Sequence, residues 1–452
     1  MLENNLPQLD NLFNLTTEFA NRLESLKRPL IIEFAGTPKA GKTTCVNAIA
    51  KFLQKKKISV HIVTERASVC PIANKHHLYF NTWTGVTSLS QMLESKEKQS
   101  NVIILDRGLF DTLVWMDFLQ VWQAVTPDDL NKIESFFLLN RWTSLIDIVV
   151  TLSVDPNIAL EREFKDQILR EPGSIMNKAN LEGYNSSLYK AMEKYKDKFN
   201  ILHIDTTNTE TVKGITKISY ELLSVAHKSI DEDIAVVNRE FVINAAFNNG
   251  VIKRAEDIIS FLNEIPNQIK WVKRDEAEKN LSLVQLIPVV VIKRDEEILV
   301  MNIRGEKHGR LAEHNSIWAG GHVRDSDATR VNRGYTQNIF HGCVYRELEE
   351  ELQLSIFNLM DIPDAIIWDS TTSRSSQHLG IFYEFKMSSK APKEALHLKE
   401  FYESKNKSLF TQFRTLDSNL KNIKGWEKWS QMYLREVCKI EIPLNKEQSE
   451  LF

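Results

Sequence analysis

The sequence has few cysteines, and none is placed for a disulfide framework or a zinc site. Its 452 residues include four cysteines, and no two of them form a C-x-x-C pair: Cys45, Cys70, Cys343 and Cys438. Disulfide-rich secreted domains and structural zinc sites need paired, closely spaced cysteines. We therefore expect reduced, mostly buried thiols in a cytoplasmic protein.

Long apolar runs and an excess of charge of one sign are also missing. No apolar run approaches the about 20 residues that a membrane-spanning helix needs. The first 20 residues contain acids and amides where a signal peptide needs a basic start. The formal net charge is only −3, so the composition indicates no basic surface for nucleic acid. We predict no membrane or nucleic-acid partner. Whether the chain forms a homodimer is left open.

The two halves of the chain have different patterns, and the length alone suits more than one domain. The first half alternates short β-branched runs with longer amphipathic stretches, which predicts an α/β domain: a parallel sheet with helices on both faces. Its predicted strands are 29–36, 59–65, 101–108, 147–154 and 199–207. The second half has hairpin-like strands and two predicted helices, around 338–352 and 425–437, which is typical of an α+β domain.

A glycine-rich segment directly after the first predicted strand fits a phosphate-binding loop. Residues 36–44, GTPKAGKTT, match the pattern G-x-x-x-x-G-K-[ST]. In such a P-loop the backbone N–H groups surround the phosphates, the lysine reaches the β- and γ-phosphates, and the next hydroxyl binds Mg²⁺. We predict that an ATP–Mg²⁺ site is formed by Gly36, Lys39, Gly41, Lys42, Thr43 and Thr44.

Charged residues follow the other predicted strands, at the sheet edge where ligands bind in such folds. Asp106 ends the third strand, where a carboxylate would hold Mg²⁺ opposite the P-loop, and Arg107 follows it. Glu65 and Arg66 end the second strand. A basic segment follows the fourth strand and contains Arg162, Lys165 and Arg170.

These motifs make residues 29–225 resemble the P-loop nucleoside and nucleotide kinases, the group that includes deoxynucleoside kinases and thymidylate kinase. The resemblance implies that Glu65 orients or deprotonates the phosphate acceptor and that Arg66 and Arg107 bind acceptor or phosphate. It also implies that the basic segment closes over the transferred phosphoryl group. Structural alternatives stay open: Asp106 as a helix cap, a Glu65–Arg66 ion pair, and the basic segment as a solvated face.

A cluster of glutamates without interleaved lysines marks the second half. In YRELEEELQL (345–354), Glu347, Glu350 and Glu351 stand at i, i+3 and i+4, so all three project from one helix face. Like charges at that spacing repel one another, whereas carboxylate oxygens are the ligands that Mg²⁺ and Mn²⁺ prefer. The pattern favours a divalent-metal site over an ordinary charged surface.

Together with the glycine pair at 320–321, this segment resembles the Nudix box, R-E-U-x-E-E-x-G-U with U apolar. Residues 270–437 accordingly resemble a Nudix hydrolase, which implies that the three glutamates bind divalent metal and that Arg346 orients them. The sequence departs from the family pattern at two positions: Asn338 replaces a glutamate, and Gln353 replaces a glycine. An insert lengthens the preceding loop, where Asp325 or Asp327 is a candidate for the missing carboxylate.

Two phosphate-handling motifs in one chain predict a bifunctional nucleotide-metabolising enzyme. The first domain would phosphorylate a nucleoside or nucleoside monophosphate with ATP, and the second would hydrolyse a nucleoside diphosphate-linked compound. Two alternatives stay open: a P-loop nucleotide sensor that gates a Nudix hydrolase, and a kinase regulated by a non-catalytic Nudix domain. We predict four segments along the chain: an N-terminal helical extension (1–28), a P-loop domain (29–228), a helical linker (229–268) and a Nudix domain (269–452).

Overall fold

The computed structural model describes most of the chain in a series of ranges: 15–17, 19–20, 23, 28–96, 100–121, 125–166, 175–208, 211–230, 233–245, 247, 250–304, 314–327, 338–352, 354, 356, 359–390, 402–403, 407–416, 420 and 425–440. The chain divides into two compact units, Met1–Asp231 and Glu232–Phe452. None of the described helices has the length and apolarity needed to cross a membrane.

The first unit is built on a five-stranded parallel sheet. Its strands are β1 (Leu30–Gly36), β2 (Val60–Val63), β3 (Val102–Asp106), β4 (Ile148–Ser153) and β5 (Ile201–Asp205). They pair in the order β2-β3-β1-β4-β5. All five match predicted strands, and the parallel sheet is confirmed. The central position of β1 brings its carboxyl end, where the P-loop begins, between the ends of β3 and β4.

Helices cover both faces of this sheet, as predicted. They are α1 (Lys42–Lys55), α2 (Leu78–Lys96), α3 (Leu109–Val121), α4 (Pro127–Phe137), α5 (Asn140–Thr143), α6 (Pro156–Asp166), α7 (Lys178–Lys194) and α8 (Thr211–Ile230). Alternate residues of β1 enter two separate cores: Leu30, Ile32 and Phe34 lie with α1 and α8, and Ile31 and Ala35 lie with α2, α3 and α7. A strand apolar on both faces requires this double cover.

The predicted N-terminal extension, 1–28, falls largely outside the described residues. Residues 15–17, 19–20 and 23 are helical. Phe19 and Leu23 are buried in the core that contains α1 and α8. These described positions therefore belong to the first unit's packing.

The second unit contains one large mixed sheet. Its strands are β6 (Asp233–Asn238), β7 (Val251–Ile252), β8 (Lys270–Lys273), β9 (Leu283–Arg294), β10 (Glu297–Arg304), β11 (Asn315–Ser316), β12 (Trp318–Gly320), β13 (Ala365–Trp368), β14 (His378–Lys386), β15 (Tyr402–Glu403) and β16 (Lys407–Thr415). The main path runs β15-β16-β10-β9-β14-β13-β7, and β9 also pairs with β12 and β6. Among the described strands of this sheet, β9 and β14 form the only parallel pair.

Helices pack on both faces of this sheet as well. They are α9 (Arg239–Ile243), α10 (Ala255–Gln268), α11 (Arg274–Lys279), α12 (Ile339–Leu352) and α13 (Lys428–Glu436). The glutamate helix α12 shares its core with α10, and α13 covers the other face with a Trp- and Tyr-rich core. The mixed sheet and separate helices confirm the predicted α+β class, and α12 and α13 match the two predicted helices.

The segment 229–268 is not the helical linker that we predicted. Residues 233–238 form β6, which pairs with β8 and β9, and α10 buries Ile258, Phe261 and Ile265 in the second unit's core. The run IAVV forms a strand because it pairs with residues 270–273 and 283–285. These partners lie far along the chain, so the local sequence does not reveal them. The second unit therefore starts near residue 232.

Candidate functional site

The P-loop connects β1 directly to α1 through backbone that requires glycine. Gly36 has a φ of 130°, and a Cβ there would lie 2.0 Å from the Leu152 carbonyl oxygen. Gly41 precedes α1 with a φ of 94°. Thr37 N–H donates to the same Leu152 carbonyl at 2.9 Å, which fixes the loop to β4. Side chains at both glycine positions would strain or block this turn.

Lys42 begins α1 and turns its buried side chain back into the loop. Its Nζ donates to the carbonyl oxygens of Gly36 at 2.7 Å and Thr37 at 2.8 Å. Burial, with the nearby positive charge of Arg107, lowers the pKa of Lys42 to about 7. The ammonium group therefore sits where an anion would stabilise its charged form.

Thr43 and Asp106 meet across the sheet edge. The Thr43 hydroxyl donates to Asp106 Oδ2 at 2.7 Å. The other carboxylate oxygen, Oδ1, is buried without a hydrogen-bond partner among the described residues. Burial raises the pKa of Asp106 above its ordinary value. A hydroxyl beside an unpartnered carboxylate oxygen fits the oxygen ligands of Mg²⁺, and a bound cation would relieve the burial of this charge.

Glu65 pairs with Arg107 and not with its neighbour Arg66, which is exposed. Arg107 Nε lies 2.9 Å from Glu65 Oε1 as an ion pair, and Arg107 Nη1 donates to Asp111 Oδ2 at 2.7 Å. The backbone at Arg107 has a φ of 69°, unusual for a residue with a side chain. The structure thus brings two predicted site residues, Glu65 and Arg107, together.

Asp111 is a site residue that the sequence analysis missed. Its Oδ1 accepts from Gly36 N–H at 3.2 Å and from the Tyr184 hydroxyl at 2.8 Å. Its Oδ2 accepts from Arg107 and from Trp115 Nε1. One buried carboxylate therefore links the P-loop, Arg107 and α7. Its i+4 spacing from Arg107 was visible in the sequence, but the long-range contacts were not.

Glu33 is a second buried carboxylate beneath the same residues. Its carboxylate accepts from Phe110 N–H at 3.1 Å and Asp111 N–H at 2.8 Å, in the first turn of α3. Burial raises the pKa of Glu33 to about 7, against those hydrogen bonds and with the help of the Asp111 charge. Gly108 provides the space, because a Cβ there would lie 2.7 Å from the Glu33 carboxylate.

Arg162 contacts the P-loop instead of facing solvent. Its guanidinium donates to the carbonyl oxygens of Lys39 at 3.2 Å and Thr206 at 2.6 Å. Lys39 pairs with Glu163 at 2.9 Å. Lys165 is exposed, and Arg170 lies outside the described residues. The basic segment that we predicted to close over the phosphoryl group, called the lid segment below, is therefore hydrogen-bonded to the P-loop at its first arginine, Arg162.

In the second unit, buried Arg346 on α12 is the centre of the glutamate cluster. It contacts Glu347 at 2.5 Å and Glu350 at 3.5 Å. It also donates to both oxygens of Asp327, at 2.9 and 3.0 Å, and to the His322 carbonyl at 2.9 Å. The arginine thus contacts two of the three predicted metal ligands, and the orienting role that the resemblance implied stays a prediction.

The glutamate helix lies against the glycine pair. A Cβ at Gly321 would lie 2.3 Å from Glu347 Oε1, so a side chain there would displace this carboxylate from its present position. Glu350 also lies 3.8 Å from Arg324, and Glu351 is half-buried. No group of three His, Cys, Asp or Glu side chains in the described part of the chain is arranged to hold a metal ion. Metal binding by Glu347, Glu350 and Glu351 stays a prediction.

Of the two candidates for the missing carboxylate, Asp327 is the one that contacts Arg346. Asp327 is fully buried, whereas Asp325 is exposed. Asn338, at the position of the family's glutamate, accepts from Phe340 N–H at 2.9 Å at the start of α12. Gln353 lies outside the described residues.

Comparison with known proteins finds relatives for part of the chain. No protein-family model matches. The chain is 30% identical over 143 residues to a Methanococcus maripaludis protein named "Probable thymidylate kinase", covering 31% of this chain and 64% of that one. It is 29% identical over 156 residues to Protein YmaB of Bacillus subtilis, covering 34% of this chain and 74% of that one. The chain thus spans less than two thirds of the thymidylate kinase relative.

The chain joins a P-loop kinase-like unit to a Nudix-like unit. Similar solved structures include Tm1382, a candidate Nudix hydrolase, at 26% identity and a TM-score of 0.32, covering 46% of this chain and 100% of that one. They also include deoxyadenosine kinase from M. mycoides at 20% identity and a TM-score of 0.35, covering 43% and 100%. TM-scores this low carry no evidence about the fold. The assignment of the two units therefore rests on the P-loop and the glutamate helix and on their geometry.

Proposed function

We propose that the chain is a bifunctional nucleotide-metabolising enzyme. Its first unit transfers the γ-phosphate of ATP to a nucleoside or nucleoside monophosphate. Its second unit hydrolyses a nucleoside diphosphate-linked compound with a divalent metal. The observation that carries the proposal is the Thr43–Asp106 pair, 2.7 Å apart beside Lys42, because this arrangement has the parts that ATP–Mg²⁺ chemistry needs.

In the kinase reaction the P-loop N–H groups and Lys42 bind the phosphates of ATP. Thr43 and Asp106 would hold Mg²⁺, which neutralises charge on the phosphates when bound. Glu65 accepts or orients the hydroxyl proton of the acceptor, and Arg107, fixed by Asp111, faces the developing negative charge. Arg162 keeps the lid segment on the P-loop through the Lys39 carbonyl.

The acceptor class is supported by chemistry as well as by similarity. A carboxylate paired with an arginine at the end of β2 suits a neutral hydroxyl acceptor that must lose a proton. A relative named as a thymidylate kinase favours instead a nucleoside monophosphate, whose phosphate oxygen is already anionic and would need Glu65 only for orientation. A nucleotide sensor would need the P-loop but not Glu65.

In the second unit, Glu347 and Glu351 are the residues on which the hydrolysis would depend. Arg346 holds the Glu347 carboxylate against Gly321, and Asp327 compensates the arginine's charge. Gly321 leaves the backbone of the preceding loop close to that carboxylate. A diphosphate bound there would lie between this loop and the face of α12 that carries the glutamates.

Mass spectrometry of reaction products tests both halves at once. The purified full chain is incubated with ATP, Mg²⁺ and a panel of nucleosides, nucleoside monophosphates and nucleoside-diphosphate compounds, beside Lys42→Ala and Glu351→Gln variants. We expect phosphorylated acceptors to disappear only with Lys42→Ala and cleaved diphosphates only with Glu351→Gln.

Other outcomes identify the alternatives. Diphosphate cleavage that requires Lys42, with no acceptor phosphorylated, would mean that the P-loop is a sensor gating the hydrolase. Acceptor phosphorylation with no cleavage by the wild type, even with Mn²⁺, would mean that the second unit is a non-catalytic regulator.

A further inference from the structure

Gln285 is a buried amide in an otherwise apolar strand. It lies in β9, within LVQLIPVVVI, and its side chain is fully buried. Its Oε1 lies 2.7 Å from His322 Nε2, but its Nε2 has no hydrogen-bond partner among the described residues. A buried N–H₂ group without a partner is costly, since it has lost its water and gained nothing. A purely structural residue at this position would be apolar.

Two imidazole rings lie beside this amide. His378 is the register partner of Gln285 in the parallel β9–β14 ladder, so both side chains leave the same face of the sheet. The His322 and His378 rings are 6.1 Å apart between centroids. Both histidines are only partly buried, so the cluster reaches the surface. Gln285, His322 and His378, which we call the amide–imidazole cluster, combine hydrogen-bonding groups with flat rings.

The cluster is connected to the glutamate helix through one residue. The His322 carbonyl accepts from Arg346 Nη2 at 2.9 Å and from Cys343 Sγ at 3.3 Å. The preceding residue, Gly321, lies next to the Glu347 carboxylate, since a Cβ added there would be 2.3 Å from Glu347 Oε1. Gly321 therefore lies at the predicted diphosphate site, and the next residue, His322, contacts Gln285 through its side chain. A nucleotide whose diphosphate lies at Glu347 would reach the cluster with its base.

We propose that the amide–imidazole cluster is the nucleobase-recognition site of the second unit. The unpartnered Gln285 N–H₂ donates to a carbonyl or ring-nitrogen acceptor on the edge of the base, and the imidazole rings of His322 and His378 border the base plane. The inference rests on the proposed diphosphate hydrolysis, because that reaction places the phosphates at Glu347.

Substitution by methionine tests the amide, because methionine keeps the length of the side chain and removes its hydrogen bonds. The probes are UDP-glucose, ADP-glucose and GDP-glucose, which share everything except the base, and isopentenyl diphosphate, which has no base. For Gln285→Met we expect kcat/KM on the preferred base to fall about tenfold, mainly through KM, and the preference among bases to shrink. Cleavage of isopentenyl diphosphate, which has no base for Gln285 to contact, should keep its wild-type kcat/KM.

Gln377 offers a matched control. It is also a buried glutamine of the second unit, but its Nε2 donates to the backbone carbonyl oxygens of Ala277 at 3.1 Å and Glu278 at 3.3 Å. We expect Gln377→Met to lower the midpoint of thermal unfolding and to keep the base preference. Gln285→Met removes the unsatisfied N–H₂ group together with the single Oε1–His322 contact, so the midpoint should fall less than in Gln377→Met.

The outcomes separate this inference from the proposed function. Equal loss of kcat/KM on all three sugar nucleotides, no loss, or a lower unfolding midpoint with unchanged base preference would overturn the inference while hydrolysis stands. If the wild type cleaves no probe, the hydrolase proposal fails, and nucleoside binding is measured by thermal shift. A shift that Gln285→Met abolishes and Gln377→Met retains would support a base site without hydrolysis, and its absence would overturn both.

Discussion

Asp327 and Arg346 form a fully buried, two-point ion pair. Arg346 Nε lies 2.9 Å from Asp327 Oδ1, and Arg346 Nη2 lies 3.0 Å from Oδ2. The two side chains are only 0% and 4% exposed. The aspartate comes from the loop that precedes α12, in a helical turn at 325–327, and it accepts from Nε and Nη2 of the arginine, the edge away from the Glu347 contact. The arginine's remaining nitrogen, Nη1, is thereby left for the glutamates.

Removing the Asp327 charge should weaken both stability and hydrolysis. Loss of Asp327 leaves buried N–H donors of Arg346 without their acceptor, and a buried donor without a partner typically costs about 1–3 kcal/mol. Glu347 and Glu350 still compensate the charge of the guanidinium. We expect Asp327→Ala to destabilise the second unit by a cost of that order and to lower diphosphate cleavage at least about tenfold, because Arg346 is no longer fixed in the orientation that holds Glu347. Chemical unfolding and steady-state cleavage rates measure the two effects.

Asp325→Ala is the matched control, since Asp325 is in the same loop but exposed. It should change stability by less than about 0.5 kcal/mol, as surface substitutions usually do. Equal effects of the two substitutions would show that the loop as a whole, and not the Asp327–Arg346 pair, supports the glutamate helix.

A second prediction concerns the Asp106 carboxylate at the P-loop. Asp106→Asn removes the charge that would hold Mg²⁺ beside Thr43 and keeps the size of the side chain. We expect phosphoryl transfer to fall by about 100-fold or more, because charge stabilisation is a leading contribution in this chemistry. Product formation over a Mg²⁺ series measures the loss.

Asp205→Asn is the control for this variant, because Asp205 also ends a strand of the same sheet, at the edge strand β5, where it accepts from Thr207. It should keep phosphoryl transfer within about twofold of the wild type. An Asp106→Asn enzyme with the same rate and Mg²⁺ dependence as the wild type would refute the metal role of Asp106.

The P-loop and the glutamate cluster were predictable because residues close together in the sequence determine their geometry. The P-loop spacing, the strand before it and the helix after it are specified within about 20 residues, and the i, i+3, i+4 glutamates define one face of α12 by helical periodicity alone. The five strands of the first sheet were likewise visible as short buried runs.

What the sequence did not reveal depends on contacts between distant residues. Strand β6 exists because residues 270–273 and 283–285 pair with it, and the sequence around 233–238 contains no sign of those partners. Asp111 becomes a site residue only when Gly36 and Tyr184 meet it, 75 and 73 residues away. The choice of Asp327 over Asp325 likewise required the position of Arg346.

A third prediction separates chemistry from binding at Glu65. Glu65→Gln keeps a hydrogen-bonding side chain near Arg107 but removes the base. We expect the kcat of phosphoryl transfer to fall by roughly 10²–10⁴-fold with little change in the KM for ATP, as for loss of a general base. Glu134→Gln is a suitable comparison, because Glu134 is buried and paired with Lys194 outside the site. That variant should lose stability and keep kcat, and a Glu65→Gln enzyme with unchanged kcat would exclude the base role.

A fourth prediction follows from the raised pKa of Glu33. The folded-state pKa of about 7 lies above the ordinary value of 4.5, so the folded protein binds the proton more tightly than the unfolded chain does. The stability of the first unit should therefore fall as pH rises from 4.5 through 7, by about 3 kcal/mol at most. The neighbouring Asp111 charge opposes ionisation of Glu33, while the Phe110 and Asp111 N–H groups favour it.

Hydrogen exchange of peptides from β1, followed in urea at pH 5 and pH 8, measures this dependence within the first unit. In Glu33→Gln the group no longer titrates, so the loss of stability between the two pH values should be smaller than in the wild type. Glu134→Gln, which removes another buried carboxylate of the same unit, should keep the wild-type difference. If Glu33→Gln also kept it, the pH dependence would have another source, and the carboxyl group beneath α3 would not titrate between pH 5 and pH 8.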